Sequence, residues 1–198
     1  RGSVVAIDPN NGEVLVFASA PAFNPNEFIG GISTKNYKEL REDYDQPLFN
    51  RALRGRYPPG STIKPILGLA ALNQNTTTAG QKMLCRGYYS LPGKTHRYRD
   101  WKPEGHGIID MHDAVAQSCD TYFYELAVKL DIDNIETALK QFGLGSKTGI
   151  DIGGETGGIV PSRDWKRKNF KKRDDQTWFP GETVITGIGQ GYLLATPL

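Results

Sequence analysis

Ser61 and Lys64, in the stretch YPPGSTIKP from Tyr57 to Pro65, are the residues of this sequence best placed to act as nucleophile and base. Pro58 and Pro59 hold the approach extended and Gly60 allows a tight turn. A helix starting at the serine puts Ser61 and Lys64 one turn apart on one face. The unpaired N–H groups and the dipole at that helix start favour negative charge, so an oxyanion formed near Ser61 would be stabilised. A partly desolvated lysine there would accept the serine proton. A chain of this length contains about one Ser-x-x-Lys pair by chance. Its placement behind Pro-Pro-Gly is what distinguishes this one, against the alternative of a plain helix start with a solvated lysine.

A second set of groups with chemistry is Cys85, Asp100, His106 and Cys119. Two thiolates, an imidazole and a carboxylate make an acceptable four-coordinate set for structural zinc, though the spacing is not that of a zinc finger. The cysteines could equally pair as a disulfide or stay separate thiols, with Asp100 and His106 as ordinary loop residues. A net charge of +2 argues against nucleic acid as the main partner. The one basic run, Arg163 to Asp175, carries acidic residues at both ends and is expected to be a solvated, charged loop rather than a surface for anionic polymer or lipid.

The elements that must position these residues are legible in outline. Two β-rich runs, Ser3 to Ile7 and Glu13 to Ser19, flank Asp-Pro-Asn-Asn-Gly and predict a hairpin. A long Pro/Asn/Gly-rich connection follows to Gly60, with a short helix near Lys35 to Leu40. Ile63, Ile66, Leu67, Ala70 and Ala71 recur at helical spacing and predict a helix from Ser61 to Asn73, which tolerates Pro65 in its first turn. Residues Thr76 to Gly107 read as irregular. Further helices are expected from Asp110 to Ser118, from Asp120 as N-cap, and from Asp133 with Glu136 in a capping box. GIGQG, Gly187 to Gly191, has no strand and helix around it to make a phosphate loop and reads as a packing turn before a helix. No run reaches the roughly 20 apolar residues of a membrane span, and the residues that would address the chain to a compartment are expected to lie outside it.

With these motifs in hand, the chain resembles the penicillin-binding proteins, and most closely their elongation-specific class B group. YPPGSTIKP resembles the nucleophile motif, and SCD, Ser118 to Asp120, falls where that family carries a second motif, usually Ser-x-Asn. RGSVVAIDPNNGEVLVFASAPAFNPN, LFNRAL, YRDWK, GHG, TGIDI and GIGQGYLLATPL extend the resemblance over nearly the whole chain. It implies an α+β transpeptidase fold, an antiparallel sheet with a helical lobe, of which residues 1–198 would be the N-terminal and helical part. Ser61 would be acylated by a peptidoglycan stem peptide or a β-lactam, with Lys64 as its base. Ser118 would relay a proton to or from the leaving amine, and Asp120 stands where asparagine is usual. Relatives can carry zinc near the active site, so the resemblance also implies a structural zinc on Cys85, Asp100, His106 and Cys119, although Cys85 stands where a relative has aspartate.

The family's third motif, Lys-Thr-Gly or a close variant, is expected after Leu198. SKTG at Ser146 to Gly149 is not that motif, because it follows a helix-stopping glycine and leads into IDIGGE; Lys147 is expected at the surface. The function implied is a serine-type D,D-transpeptidase at the periplasmic face of the bacterial inner membrane. Its partners would be a membrane glycan polymerase and elongation-complex proteins, and its chemistry would need no cofactor. Two other functions compete: a serine β-lactamase, for which Glu155 lacks the sequence context of a deacylating base, and a non-catalytic penicillin-recognising receptor or scaffold.

Overall fold

The computed structural model describes residues 1–198 and divides the chain into two compact units. The first comprises residues 1–57, 147–157 and 196–198, and the second residues 58–146 and 158–195.

The first unit is built on the hairpin of β1 (Gly2–Ile7) and β2 (Val14–Ala20), paired antiparallel from Gly2↔Ala20 to Ile7↔Val14 with a register shift at Ala6/Ile7. Asp8 closes the turn. Its Oδ1 accepts the Asn10 N–H at 2.8 Å and its carbonyl accepts the Gly12 N–H at 2.8 Å, with Gly12 at φ +79°. The long connection carries a 3-10 helix (Pro25–Phe28), α1 (Thr34–Glu42) and α2 (Arg51–Arg54), and α2 packs on both strands. Buried Arg51 organises the preceding loop by donating to the carbonyls of Asp45 at 2.5 Å, Gln46 at 3.1 Å and Phe49 at 3.3 Å. In the 147–157 segment, Glu155 accepts from Thr148 N at 2.6 Å, Thr148 Oγ1 at 2.8 Å and Gly149 N at 3.1 Å. Lys147 to Gly149 therefore form a loop held by a carboxylate, with Lys147 exposed, and no strand.

The second unit holds the larger core. A 3-10 turn (Gly60–Ile63) runs into α3 (Lys64–Asn73), followed by β3 (Met83–Cys85), β4 (Tyr88–Tyr89), β5 (Tyr98–Arg99) and β6 (Gly107–Ile109). Antiparallel pairs β3–β6 and β4–β5 thus organise the stretch expected to be irregular. Then come α4 (Met111–Ala116), α5 (Asp120–Leu130), α6 (Ile132–Gln141), α7 (Arg163–Asn169), a 3-10 helix (Arg173–Gln176) and α8 (Pro180–Thr186). α5 is the central helix, packing against α3, α4, α6, α8 and β3 to β5. Tyr122, Phe123, Leu126, Ala127 and Leu130 on α5 are fully buried together with Leu67, Ile135 and Leu139. At about 2 kcal/mol for each large apolar side chain, this is where the unit gains its stability.

Several expectations are corrected. The basic run is not a loop: Ser162 Oγ accepts from Trp165 N at 3.1 Å and starts α7, and Lys166 is buried in an ion pair with Glu182 of α8, its Nζ also donating to Thr177 O at 2.7 Å. Four aromatic rings surround that ammonium, Phe170, Trp178, Phe179 and Tyr192, so burial of one lysine among apolar rings outweighs the solvation of its charged neighbours. The cap of α5 is Cys119, whose Sγ accepts from Tyr122 N at 3.4 Å, and Asp120 is the first helical residue. The cap of α6 is Asp131, and Glu136 pairs with Lys140 at 2.6 Å instead of closing a capping box. GIGQG follows α8 rather than preceding a helix.

Candidate active site

Ser61 lies exposed in the 3-10 turn, and Lys64 is 1% exposed at the head of α3. Lys64 Nζ donates to Ser118 O at 2.8 Å, Ser118 Oγ at 3.1 Å and Asp120 Oδ1 at 2.6 Å. These three bonds use all the donors of an ammonium group, and none reaches Ser61. Ser118 Oγ donates to Ser61 Oγ at 2.8 Å. The lysine and serine expected to meet across one helix face are therefore joined through the hydroxyl of a residue 57 positions along the chain from Ser61. The Phe123 ring, 5.4 Å from Nζ, covers the ammonium from the core side.

Ser118 has φ +54°, a left-handed conformation that costs a non-glycine residue on the order of 1 kcal/mol or more. The surrounding bonds hold it there. Ser118 N donates to Val115 O at 3.2 Å and Cys119 N to Ala114 O at 2.9 Å, and the Ser118 carbonyl takes the lysine and also Trp101 Nε1 at 3.2 Å. Trp101, which also donates to Gln117 O at 3.2 Å, is a positioning residue that sequence reasoning did not assign a role. Its only signal was membership of YRDWK. Asp120 sits at the N-terminus of α5, where the helix dipole favours its carboxylate.

Behind the nucleophile, Gly60 N donates to Gly189 O at 2.9 Å. A Cβ on Gly189 would come 2.1 Å from Gly60 O, so only glycine permits this approach, and Gly189 has φ +73°. The GIGQG turn thus braces the residue before Ser61.

Cys85, Asp100, His106 and Cys119 come together beneath this site, with ligand atoms all within 4.8 Å of one another. Both cysteines are free, buried thiols. Asp100 Oδ2 accepts from Cys119 Sγ at 3.4 Å, Cys85 Sγ at 3.6 Å and Thr121 N at 2.8 Å. His106 Nδ1 lies 3.4 Å from Cys85 Sγ and 3.8 Å from Asp100 Oδ1, and its Nε2 is buried without a partner. Burial opposes ionisation of Asp100, but the backbone N–H groups of Thr121 and Lys102 hold its carboxyl below the ordinary value. Burial pushes the Cys119 thiol far above its ordinary value, with Cys85 and Asp100 adding to the shift. Two sulfurs, an imidazole nitrogen and a carboxylate converging in a buried space form a donor set that fits a zinc ion.

The family profile "Penicillin binding protein transpeptidase domain" matches residues 2–198. "Peptidoglycan D,D-transpeptidase MrdA" of Acinetobacter baumannii is 48% identical over 198 residues, covering 100% of this chain and 29% of that protein. A crystal structure of Pseudomonas aeruginosa PBP2 in complex with WCK 5153 superposes with a TM-score of 0.93 at 49% identity, covering 100% of this chain and 42% of that one. A complex between PBP2 and MreC from Helicobacter pylori matches with a TM-score of 0.92 at 40% identity, covering 100% of this chain and 36% of the other. The chain spans 29–31% of the length of the MrdA relatives it matches.

Proposed function

Because the chain belongs to the penicillin-binding protein transpeptidase family and has its fold, we propose that it is part of a peptidoglycan D,D-transpeptidase of the elongation-specific class, cross-linking stem peptides and serving as a target of β-lactams. The observation that carries this reading is the hydrogen-bonded series Lys64–Ser118–Ser61. In acylation, with Lys64 as the neutral amine, Ser61 Oγ attacks the stem-peptide carbonyl, its proton passes to Ser118 Oγ, and Ser118 passes its own proton to the lone pair of Lys64 Nζ. The C–N bond then breaks as Lys64 returns its proton through Ser118 Oγ to the leaving amine nitrogen. Attack of an acceptor amine on the ester frees Ser61 and completes the cross-link. The acceptor amine gives up a proton to Ser118 and Lys64 as it attacks, and the series from Lys64 Nζ through Ser118 Oγ to Ser61 Oγ returns one to Ser61 as the ester bond breaks. Asp120 orients Lys64 throughout.

Slow deacylation by water accompanies this reading. Glu155, the residue weighed as a β-lactamase base, has both carboxylate oxygens engaged by Thr148 and Gly149. Cys85, Asp100, His106 and Cys119 would hold a structural zinc that supplies no chemistry to the reaction and fixes Cys119, and with it Ser118 and Asp120. No helix is long and apolar enough to cross a membrane. By resemblance, the protein would act at the periplasmic face of the inner membrane, anchored outside residues 1–198, which form one portion of the transpeptidase domain. The H. pylori PBP2–MreC complex supports an elongation-complex partner, and a membrane glycan polymerase is the partner expected to supply strands.

The test is made on the full-length protein. Labelled penicillin should attach at Ser61, located by peptide mass spectrometry, and Ser61→Ala should abolish labelling; an adduct on any other residue would overturn the assignment. Protein purified without chelator should carry about one zinc per chain, released by His106→Ala or Cys119→Ser.

A further inference from the structure

Cys85 and Cys119 have a property that neither the transpeptidase mechanism nor the metal set uses. Their sulfurs lie no more than 4.8 Å apart and both donate to a single oxygen, Asp100 Oδ2. A disulfide needs about 2.05 Å between sulfurs, so closing the gap takes a combined shift of roughly 3 Å or less. Cys85 ends a three-residue strand, and Cys119 is the cap of α5 rather than a residue inside it.

We propose that Cys85 and Cys119 form an oxidation-sensitive dithiol, which a hydroperoxide closes into an intrachain disulfide that disables the Ser118–Asp120 segment, and which a metal on the same sulfurs protects. The protective half rests on the zinc reading above, and the dithiol half does not.

The chemistry balances. Cys85 Sγ, passing its proton to His106 Nδ1 3.4 Å away, attacks a peroxide oxygen, the O–O bond breaks, and a sulfenic acid forms as that proton leaves with the departing hydroxide as water. The second sulfur displaces the sulfenic hydroxyl as a second water, so two thiols and one hydrogen peroxide become one disulfide and two waters. Burial selects the oxidant class. Cys85 is 2% and Cys119 0% exposed, which excludes a bulky disulfide such as oxidised glutathione and leaves a small peroxide, entering on local opening, as the oxidant.

The consequence follows from position. Drawing Cys119 Sγ toward Cys85 removes it from the Tyr122 N–H that it caps and from Asp100. The residues on either side, Ser118 and Asp120, supply every hydrogen-bond acceptor of Lys64, and Ser118 is the link to Ser61. A shift of Cys119 therefore breaks the series that serves the nucleophile.

The experiment uses the full-length protein in three forms: zinc-loaded, chelated with its far-ultraviolet circular dichroism unchanged, and Cys85→Ser. Each is treated with hydrogen peroxide or with oxidised glutathione. In the chelated form, peroxide should yield a Cys85–Cys119 linked peptide, lower penicillin labelling at least tenfold, and do so reversibly with a thiol reductant. Oxidised glutathione should do neither. Zinc should slow closure at least tenfold, and peroxide should produce no reversible loss of labelling in Cys85→Ser relative to its own untreated value. If chelation alters the fold, closure is instead followed in zinc-loaded protein, where its rate should fall as free zinc is raised. Both cysteines remaining alkylatable after peroxide, separate sulfinic acids, or a disulfide that leaves labelling intact would each overturn the dithiol. A disulfide that silences labelling in a protein that binds no zinc would uphold the dithiol and refute the metal reading.

Discussion

Replacing Asp120 by alanine removes the only charged partner of a lysine that is itself out of water. The Lys64 and Asp120 side chains are 2% and 16% exposed and meet at 2.6 Å. With the carboxylate gone, the ammonium keeps two neutral acceptors, Ser118 O and Ser118 Oγ. Breaking a buried pair costs about 3–5 kcal/mol, and partial access of water on the Asp120 side places this one near about 3 kcal/mol. For a protein of this size, that is a fall of about 6–12 °C in Tm, and for a larger one a smaller fall. The same restraint holds Lys64 for proton transfer, so its loss from the transition state slows acylation by about a hundredfold. Asp120→Asn keeps an oxygen within reach of Nζ and loses only the charge assistance. It should cost about 1 kcal/mol and less than about tenfold in rate, as suits a family in which asparagine is usual here. Thermal unfolding and time-resolved labelling with a fluorescent penicillin measure both quantities. An alanine variant that melts and acylates like the parent, or an asparagine variant as impaired as alanine, would refute the reasoning.

Ser118→Ala deletes the hydroxyl between Lys64 and Ser61 and should slow acylation by about 10²–10⁴-fold, with a stability loss of about 1 kcal/mol from the acceptor removed from the buried ammonium; labelling at the parental rate would exclude the relay. Gly189→Ala would drive a Cβ to 2.1 Å from Gly60 O at a residue with φ +73°, so Tm should fall and acylation slow together, and an unchanged Tm would contradict that close approach. The hydrogen bond from Arg163 holds the Asp131 carboxyl below its ordinary value. As pH falls the unfolded chain takes up that proton first, so the stability it lends is complete above a pH of about 4 and is lost as pH drops through the lower, folded value. Asp131→Asn should therefore lose less Tm than the parent between pH 5 and the acid limb, and equal acid slopes would show that the pair contributes nothing.

Local interactions carry the parts of this protein that can be read without a structure. Asp8 and Gly12 close a hairpin within a few residues, and the hairpin stands within a residue of where turn chemistry puts it. Pro58, Pro59 and Gly60 fix a helix start, and the i, i+3 spacing brings Ser61 and Lys64 to it. These elements depend on backbone geometry over one or two turns, which neighbouring residue types determine.

Tertiary structure decided how the pieces connect. Lys64 makes no hydrogen bond to Ser61 because its ammonium, once buried, must satisfy three donors, and the acceptors it finds are on Ser118 and Asp120, more than 50 residues further along the chain. The basic run of Arg163 to Asp175 becomes helical because one lysine within it is buried beside Glu182 among aromatic rings, a circumstance that its charge pattern conceals. Cys85, Asp100, His106 and Cys119 had the right chemistry and no diagnostic spacing. They converge because β3 pairs with β6 and packs against α5, whose cap is Cys119. Residue types and short spacings specify what a group can do, but which groups meet is settled by packing between segments distant in sequence, where burial obliges each polar atom to find a partner.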